Sequence, residues 1–165
     1  MFGEMRRKKQ ALPLEACEKI LERGTSGVLA LEGEEGYPYA VPLSYYYEKG
    51  KIFFHCGKSG YKIEALKRNE KVSFCVIDQD QIIPEEYTTY FRSVIVFGKI
   101  RILEGEGEKR RAIEKLALKY APEEPEEKTN RAIDREFSPL CMLELSIEHI
   151  SGKEAIELVR ENRER

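Results

Sequence analysis

The chain has 165 residues, with 28 Lys and Arg against 30 Asp and Glu and a formal net charge of −2. That length suits a single domain with a real core, residues 1–165. The near-neutral balance argues against a general nucleic-acid binder, and no run approaches the ~18 apolar residues of a membrane span. The N-terminus lacks an apolar leader segment, so a cytoplasmic location is expected.

In chain order, Arg6-Arg7-Lys8-Lys9 reads as part of a solvated basic arm, residues 1–10. Residues 14–23 have helical spacing, with Ala16, Ile20 and Leu21 inward and Gly24 as the stop. Residues 26–32 read as a strand, and Gly33-Glu34-Glu35-Gly36 as a turn. Residues 37–47 then carry Tyr37, Tyr39, Val41, Leu43, Tyr45 and Tyr47 at alternate positions, the pattern of a strand with one buried face. Pro42 cannot donate to a ladder and belongs at an edge, a bulge or a non-pairing position, which leaves nearby backbone groups free for a ligand. The turn Glu48-Lys49-Gly50 leads into residues 51–56, where Ile52, Phe54 and Cys56 share one face and Phe53 and His55 the other.

Residues 57–62 run into a short helix predicted over 63–69, with Ser59 as N-cap. Free amides at a helix start, together with Lys58 and Lys62, make either an anion site or a capped surface helix with solvated lysines. Neither a Walker pattern nor GxGxxG is present. A strand over 71–78, a polar loop containing Pro84, and a long strand over 91–103 bent at Gly98 follow. The helix predicted over 108–120 spaces Ile113, Leu116, Ala117 and Tyr120 as a core stripe. A Pro/Glu-rich loop over 121–128 and a short helix near 130–137 precede a cleanly alternating strand over 141–150. Residues 151–165 read as a polar helix or tail. Five or six antiparallel strands with helices in the connections give a mainly β (α+β) fold, a small closed or partly closed barrel. A cofactor would sit outside such a barrel, commonly at a subunit interface.

The four cysteines form no CxxC pair, which argues against structural zinc or a dithiol redox motif. Two histidines, His55 and His149, are too few for a multi-histidine metal centre.

The segment GYPYAVPLSYYYEKGKIFFHCGKSGYKIEALKRNEKVSF, with MRRK before it and SVIVFGKI after it, resembles the flavin-binding split β-barrels related to pyridoxamine 5′-phosphate oxidase, in particular the group that includes nitroimidazole reductases. The resemblance spans residues 5–150. It implies an antiparallel barrel of about six strands with peripheral helices, and a homodimer holding FMN at two interface sites. By position, Tyr39, Ala40, Val41, Pro42, Leu43 and Ser44 would line the isoalloxazine with backbone groups, and His55, Cys56 and Gly57 would flank the flavin or its ribityl chain. Tyr61 and Lys62 match phosphate-holding positions, although an arginine is usual where this chain has Tyr61. Ser93 matches a polar contact to the ring. His55 matches the histidine near the reacting centre and is expected either to catalyse or to hydrogen-bond the cofactor.

These matches imply an FMN-dependent oxidoreductase that passes electrons from a reduced donor to a small, nitroaromatic-like acceptor. A non-catalytic flavin- or heme-binding sensor and a deazaflavin-dependent reductase are the alternatives. The C-terminal substrate-binding segment of the true oxidases has no counterpart here, so that oxidase activity is not expected.

Overall fold

The computed structural model describes residues 2–163. Helix α1 (Leu14–Arg23) and strand β2 (Ser26–Glu32) follow a two-residue strand β1 (Ala11–Leu12). Next come β3 (Pro38–Ser44), β4 (Tyr46–Glu48), β5 (Lys51–Gly57), helix α2 (Tyr61–Arg68) and the long hairpin β6 (Lys71–Ile83) and β7 (Thr88–Ile102). Helices α3 (Glu106–Tyr120) and α4 (Glu126–Glu136), strand β8 (Leu140–Glu154) and helix α5 (Ile156–Arg163) complete it.

The eight strands form one antiparallel sheet in the order β3-β2-β6-β7-β8-β5-β4, with β1 added to β8. The two ends of this order, β3 and β4, are separated in sequence only by Tyr45. The chain itself therefore joins the first strand of the ladder to the last, and the sheet wraps into a split barrel. Alternation sends one face of each strand inward. Leu29, Ile52, Phe54, Phe74, Val94 and Leu145 are fully buried there. Phe74 meets Tyr45 and Phe54 edge-on, each at 5.1 Å between ring centroids. Fully burying a side chain of this size stabilises by ~1.5–3 kcal/mol, which is why the interior holds the register.

Helix α1 docks Cys17, Ile20 and Leu21 on the barrel, and α2 docks Ile63, Ala65 and Leu66. Ala16 is only half-buried, so Cys17 rather than Ala16 completes the inward stripe of α1. Helix α3 lies outside the barrel over a second small cluster of Leu103, Ala112 and Met142.

Several boundaries differ from the sequence expectation, among them α4, which begins at Glu126 inside the stretch read as a loop over 121–128. Strands β6 and β7 continue past residue 78 and begin before residue 91, meeting at a turn over Pro84–Glu86 closed by Tyr87 at φ +51°. The segment read as one strand over 37–47 breaks at Tyr45, whose fully buried ring turns the chain across the barrel. Gly60 at φ +122°, not Ser59, occupies the N-cap of α2, and no side chain caps it. The C-terminal segment is not only a polar tail, because β8 runs on to Glu154 and α5 buries Leu158. Pro42 sits on β3, the terminal strand of the ladder, opposite Val28 of β2. Gly98 marks a register shift between β7 and β8, at the bend expected there.

Candidate functional site

Strand β3 meets the end of β5 where Ser44 and His55 share a slot, and meets the first turn of α2 where Tyr39 packs on Tyr61. On β3, Tyr39, Val41 and Leu43 pack against the core, while Ala40 and Pro42 are exposed on the outer face. Ser44 shares that outer parity. On β5 the parity is reversed in effect: His55 points outward and Cys56 inward, toward the core cluster.

Ser44 and His55 line a slot of about 280 Å³ whose other walls are Ile113, Leu116, Ala117 and Tyr120 of α3. The stripe read from sequence as core therefore serves partly as a wall. Only Leu116 of the four is fully buried. Tyr120 locks this end of α3 to the barrel: its hydroxyl accepts the Tyr45 amide at 3.2 Å and donates to the Thr25 carbonyl. Lys119 adds bonds to the carbonyls of Gly24 and Tyr45. The role of Tyr120 had no distinct sequence signal, since helical spacing places it with the apolar stripe and cannot reveal a tertiary hydrogen bond.

Tyr61 and Lys62 open α2, and the charge of Lys62 reaches His55, which lines the slot. The Tyr61 ring packs on Tyr39 at 4.7 Å between centroids, and its hydroxyl accepts the Glu34 amide at 2.6 Å. Among the described residues its proton has no acceptor. The first bond of the turn runs from the Glu64 amide to the Gly60 carbonyl, leaving the amides of residues 61–63 without acceptors inside the helix. Exposed Lys58 and half-buried Lys62 flank them.

Desolvation first, and the charge of Lys62 second, hold the His55 imidazole below its ordinary value of 6.5. His55 is accordingly neutral at pH 7, able to donate one hydrogen bond and accept another. Cys56 faces Cys141 directly across β5 and β8. Burial, then the neighbouring Cys141, push its thiol up to about 12, against the opposing pull of Lys62. A thiol so placed is not a nucleophile near neutral pH.

Ser44 and His55 thus share one slot, Tyr39 and Tyr61 pack together, and Lys62 is near enough to act on His55 and Cys56; Ala40 to Leu43 and Gly57 belong to the same two strands. Ser93 does not join them. It sits on β7, paired with Ile77 and Lys153, three strands from β3 and so about 14 Å along the sheet at ~4.8 Å per strand. Among the described residues no cluster of three or more His, Cys, Asp or Glu could hold a metal ion, and no helix is long and apolar enough to cross a membrane.

A flavin mononucleotide suits this donor set. The α2 amides and two lysines match a phosphate dianion, and terminal strand β3 offers backbone groups to a ring edge. The slot itself is smaller than the ~300–1,000 Å³ that encloses a drug-sized ligand. A flavin ring would therefore lie across the outer face and need covering by another surface.

The family model for pyridoxamine 5′-phosphate oxidase matches residues 13–154. Among solved structures, the chain is similar to a FAD-binding protein from Mesorhizobium loti at 26% identity, TM-score 0.67, covering 88% of this chain and 97% of that one. It is similar to a protein from Bacteroides thetaiotaomicron assigned to 5-nitroimidazole antibiotic resistance, at 22% identity, TM-score 0.71 and coverage of 87% and 85%. A FAD- and heme-binding protein from Mycobacterium smegmatis matches at 19% identity, TM-score 0.71 and coverage of 89% and 73%. No curated protein matches the chain.

Proposed function

Because the chain belongs to the pyridoxamine 5′-phosphate oxidase family, we propose that it is a flavoprotein that binds FMN across β3, β5 and α2 and reduces a small acceptor seated in the α3 slot. The observation that carries this reading is the slot itself: an apolar space with Ser44 and His55 as its polar wall, whose His55 feels the charge of Lys62 at the donor-rich start of α2. FAD-binding and nitroimidazole-resistance proteins among the structural relatives support it.

When bound, the flavin supplies hydride or single-electron chemistry. The chain's own residues do the rest. Lys62, Lys58 and the amides of residues 61–63 hold the phosphate, and the backbone of residues 39–44 orients the ring. His55 is neutral at pH 7, so it can donate a hydrogen bond to the flavin or to an acceptor without adding a cation to the site. Ile113, Leu116 and Ala117 exclude water from the acceptor.

A homodimer would complete the site. The outer sheet face exposes Val28 (40%), Ile77 (66%), Ile95 (39%) and Phe97 (37%), an apolar stripe running from β2 to β7. Ser93 lies on this same face, and in such a homodimer it would serve the ring held by the other protomer's β3.

Purified protein should be yellow, release FMN identifiable by mass spectrometry, and oxidise NADH or NADPH in the presence of a nitroaromatic acceptor. Colourless protein that fails to take up FMN would sink the reading. A second reading, a flavin- or heme-binding module without turnover, is favoured by the exposed, neutral imidazole of His55, a form able to ligate iron. It predicts a Soret band on heme addition that disappears in His55→Ala.

A further inference from the structure

The β6–β7 hairpin outruns the sheet that it belongs to. Strand β2 pairs with β6 only from Ser73 to Cys75, and β8 pairs with β7 only from Arg92 onward. Gln81–Ile83 and Thr88–Tyr90 therefore have only each other as ladder partners, and the hairpin ends as a two-stranded ribbon. At its tip Tyr87 is 98% exposed with φ +51°, and Ile82 is 72% exposed. A bulky residue is an outlier at positive φ, where Gly or Asn holds the same turn more cheaply. The fold itself makes no use of this ring, since its own chain leaves it uncovered. Between Gln79 and Phe91 there are three acids, Asp80, Glu85 and Glu86, and no base. Among the described residues none of the three has an ion-pair partner.

A complementary surface lies on the N-terminal arm. Its 3₁₀ turn Lys8–Gln10 meets the start of α5, and a cavity of about 470 Å³ opens there between Arg6, Arg7, Lys8, Lys9, Gln10 and Ile156. The walls are mainly hydrocarbon, because the stems of the long cations lie along them while their exposed heads stand at the rim. Sites that enclose a whole drug-sized molecule measure ~300–1,000 Å³, so a single phenol ring fits. Glu4 answers only Lys8, at 2.6 Å, and among the described residues Arg6, Arg7 and Lys9 have no ion-pair partner. An apolar seat rimmed by guanidinium and ammonium groups suits an aromatic ring flanked by carboxylates. The ring gains burial and cation–π contact, and the carboxylates pair with the rim. The ribbon tip is such a group, since Glu85 and Glu86 directly precede Tyr87.

We propose that the β6–β7 ribbon docks on a second copy of this chain, with Tyr87 seated in the arm cavity and Glu85 and Glu86 paired with Arg6, Arg7 and Lys9 of the partner subunit. Knob and seat belong to one chain, so a two-fold axis lets each copy fill the other's cavity, and the contact closes at two copies. This contact is separate from the apolar stripe of the outer sheet face and from the flavin cleft. Its rim charges are exposed, so added salt weakens it.

The test is analytical ultracentrifugation of the full chain as purified, over a range of protein and sodium chloride concentrations. Wild type should show an association step that weakens as salt is added. Tyr87→Asn, which places a residue suited to positive φ at the tip, should weaken that step on the order of tenfold or more, with the melting temperature unchanged or higher. Glu85→Lys with Glu86→Lys, and separately Arg6→Glu with Arg7→Glu and Lys9→Glu, should each abolish the step. Mixed in equal amounts, these two reversed chains should regain it, because each ribbon then meets an arm of opposite charge. The outer-face stripe is the same in all of these chains, so association through it persists in every one and is told apart. A step insensitive to Tyr87→Asn, equal association in wild type and the reversed chains, or no recovery on mixing overturns the proposal. Flavin content is recorded in parallel. Colourless protein with the step intact counts against the flavin reading alone.

Discussion

The hydroxyl of Tyr61 accepts the backbone amide of Glu34 at 2.6 Å, so the first residue of α2 holds the turn that precedes β3. The same close approach excludes a side chain at Gly33, where an added Cβ would run into the Tyr37 carbonyl and come within 3.0 Å of the Tyr61 hydroxyl. Tyr61→Phe should therefore act through this turn. It is expected to cost ~0.5–1.5 kcal/mol in denaturant unfolding, with FMN affinity reduced less than in a lysine variant of the same helix. A larger loss of FMN affinity than in that lysine variant would assign the Tyr61 hydroxyl to the phosphate instead.

Lys62→Met should weaken FMN binding on the order of tenfold, read by fluorescence titration, because a charge-assisted contact to phosphate is lost. It should also raise the His55 pKa, since Lys62 is one of the two causes that hold it down. Unchanged FMN affinity with a raised imidazole pKa would place the phosphate elsewhere.

The depressed pKa of His55 fixes the sign of a pH effect. The unfolded chain protonates this imidazole at a higher pH than the folded protein does, so stability is fully present above about 6.5 and is lost as pH falls through the folded value. NMR titration should place the His55 midpoint below 6.5, and His55→Gln should flatten the fall in melting temperature over that acidic window. A midpoint at or above 6.5 would contradict the structure.

Cys56 should resist iodoacetamide in the folded protein near neutral pH, given a thiol raised to about 12. Cys56→Ser should leave any flavin-linked turnover within about twofold of wild type. Rapid labelling under native conditions, or loss of turnover with flavin still bound, would return this thiol to the chemistry.

An added methyl group at Gly98 would run into the Ser146 carbonyl at the β7–β8 register shift. Gly98→Ala should cost ~1–3 kcal/mol by overpacking, a fall in melting temperature of several degrees. A variant as stable as wild type would show that the bulge relaxes freely.

Where one face was apolar and the other polar, the sequence was enough: α1 and β2 begin and end where their alternation does, and Pro42 lies at the ladder's end as its missing donor requires. The distal half of the β6–β7 hairpin was illegible because Gln79, Asp80 and Gln81 have no buried face to alternate against. The break at Tyr45 was hidden for the opposite reason, since Leu43, Tyr45 and Tyr47 keep the period of two through the bend. At the site, His55, Tyr61 and Lys62 could be placed together because they lie close in sequence. Tyr120 and Ser93 could not be placed, because the first acts through a contact 75 residues away and the second sits three strands off.

The single residue between β3 and β4 divides labour within the barrel. Along most of the sheet, two neighbouring strands saturate each other's backbone, and little is left to spare. At the Tyr45 crossing, covalent continuity closes the ring instead of a ladder, so the outward edge of β3 keeps uncommitted donors and acceptors without the fold coming apart there. Recognition and cohesion then draw on different bonds. Substitutions that retune what the edge greets need not loosen the wall that carries it.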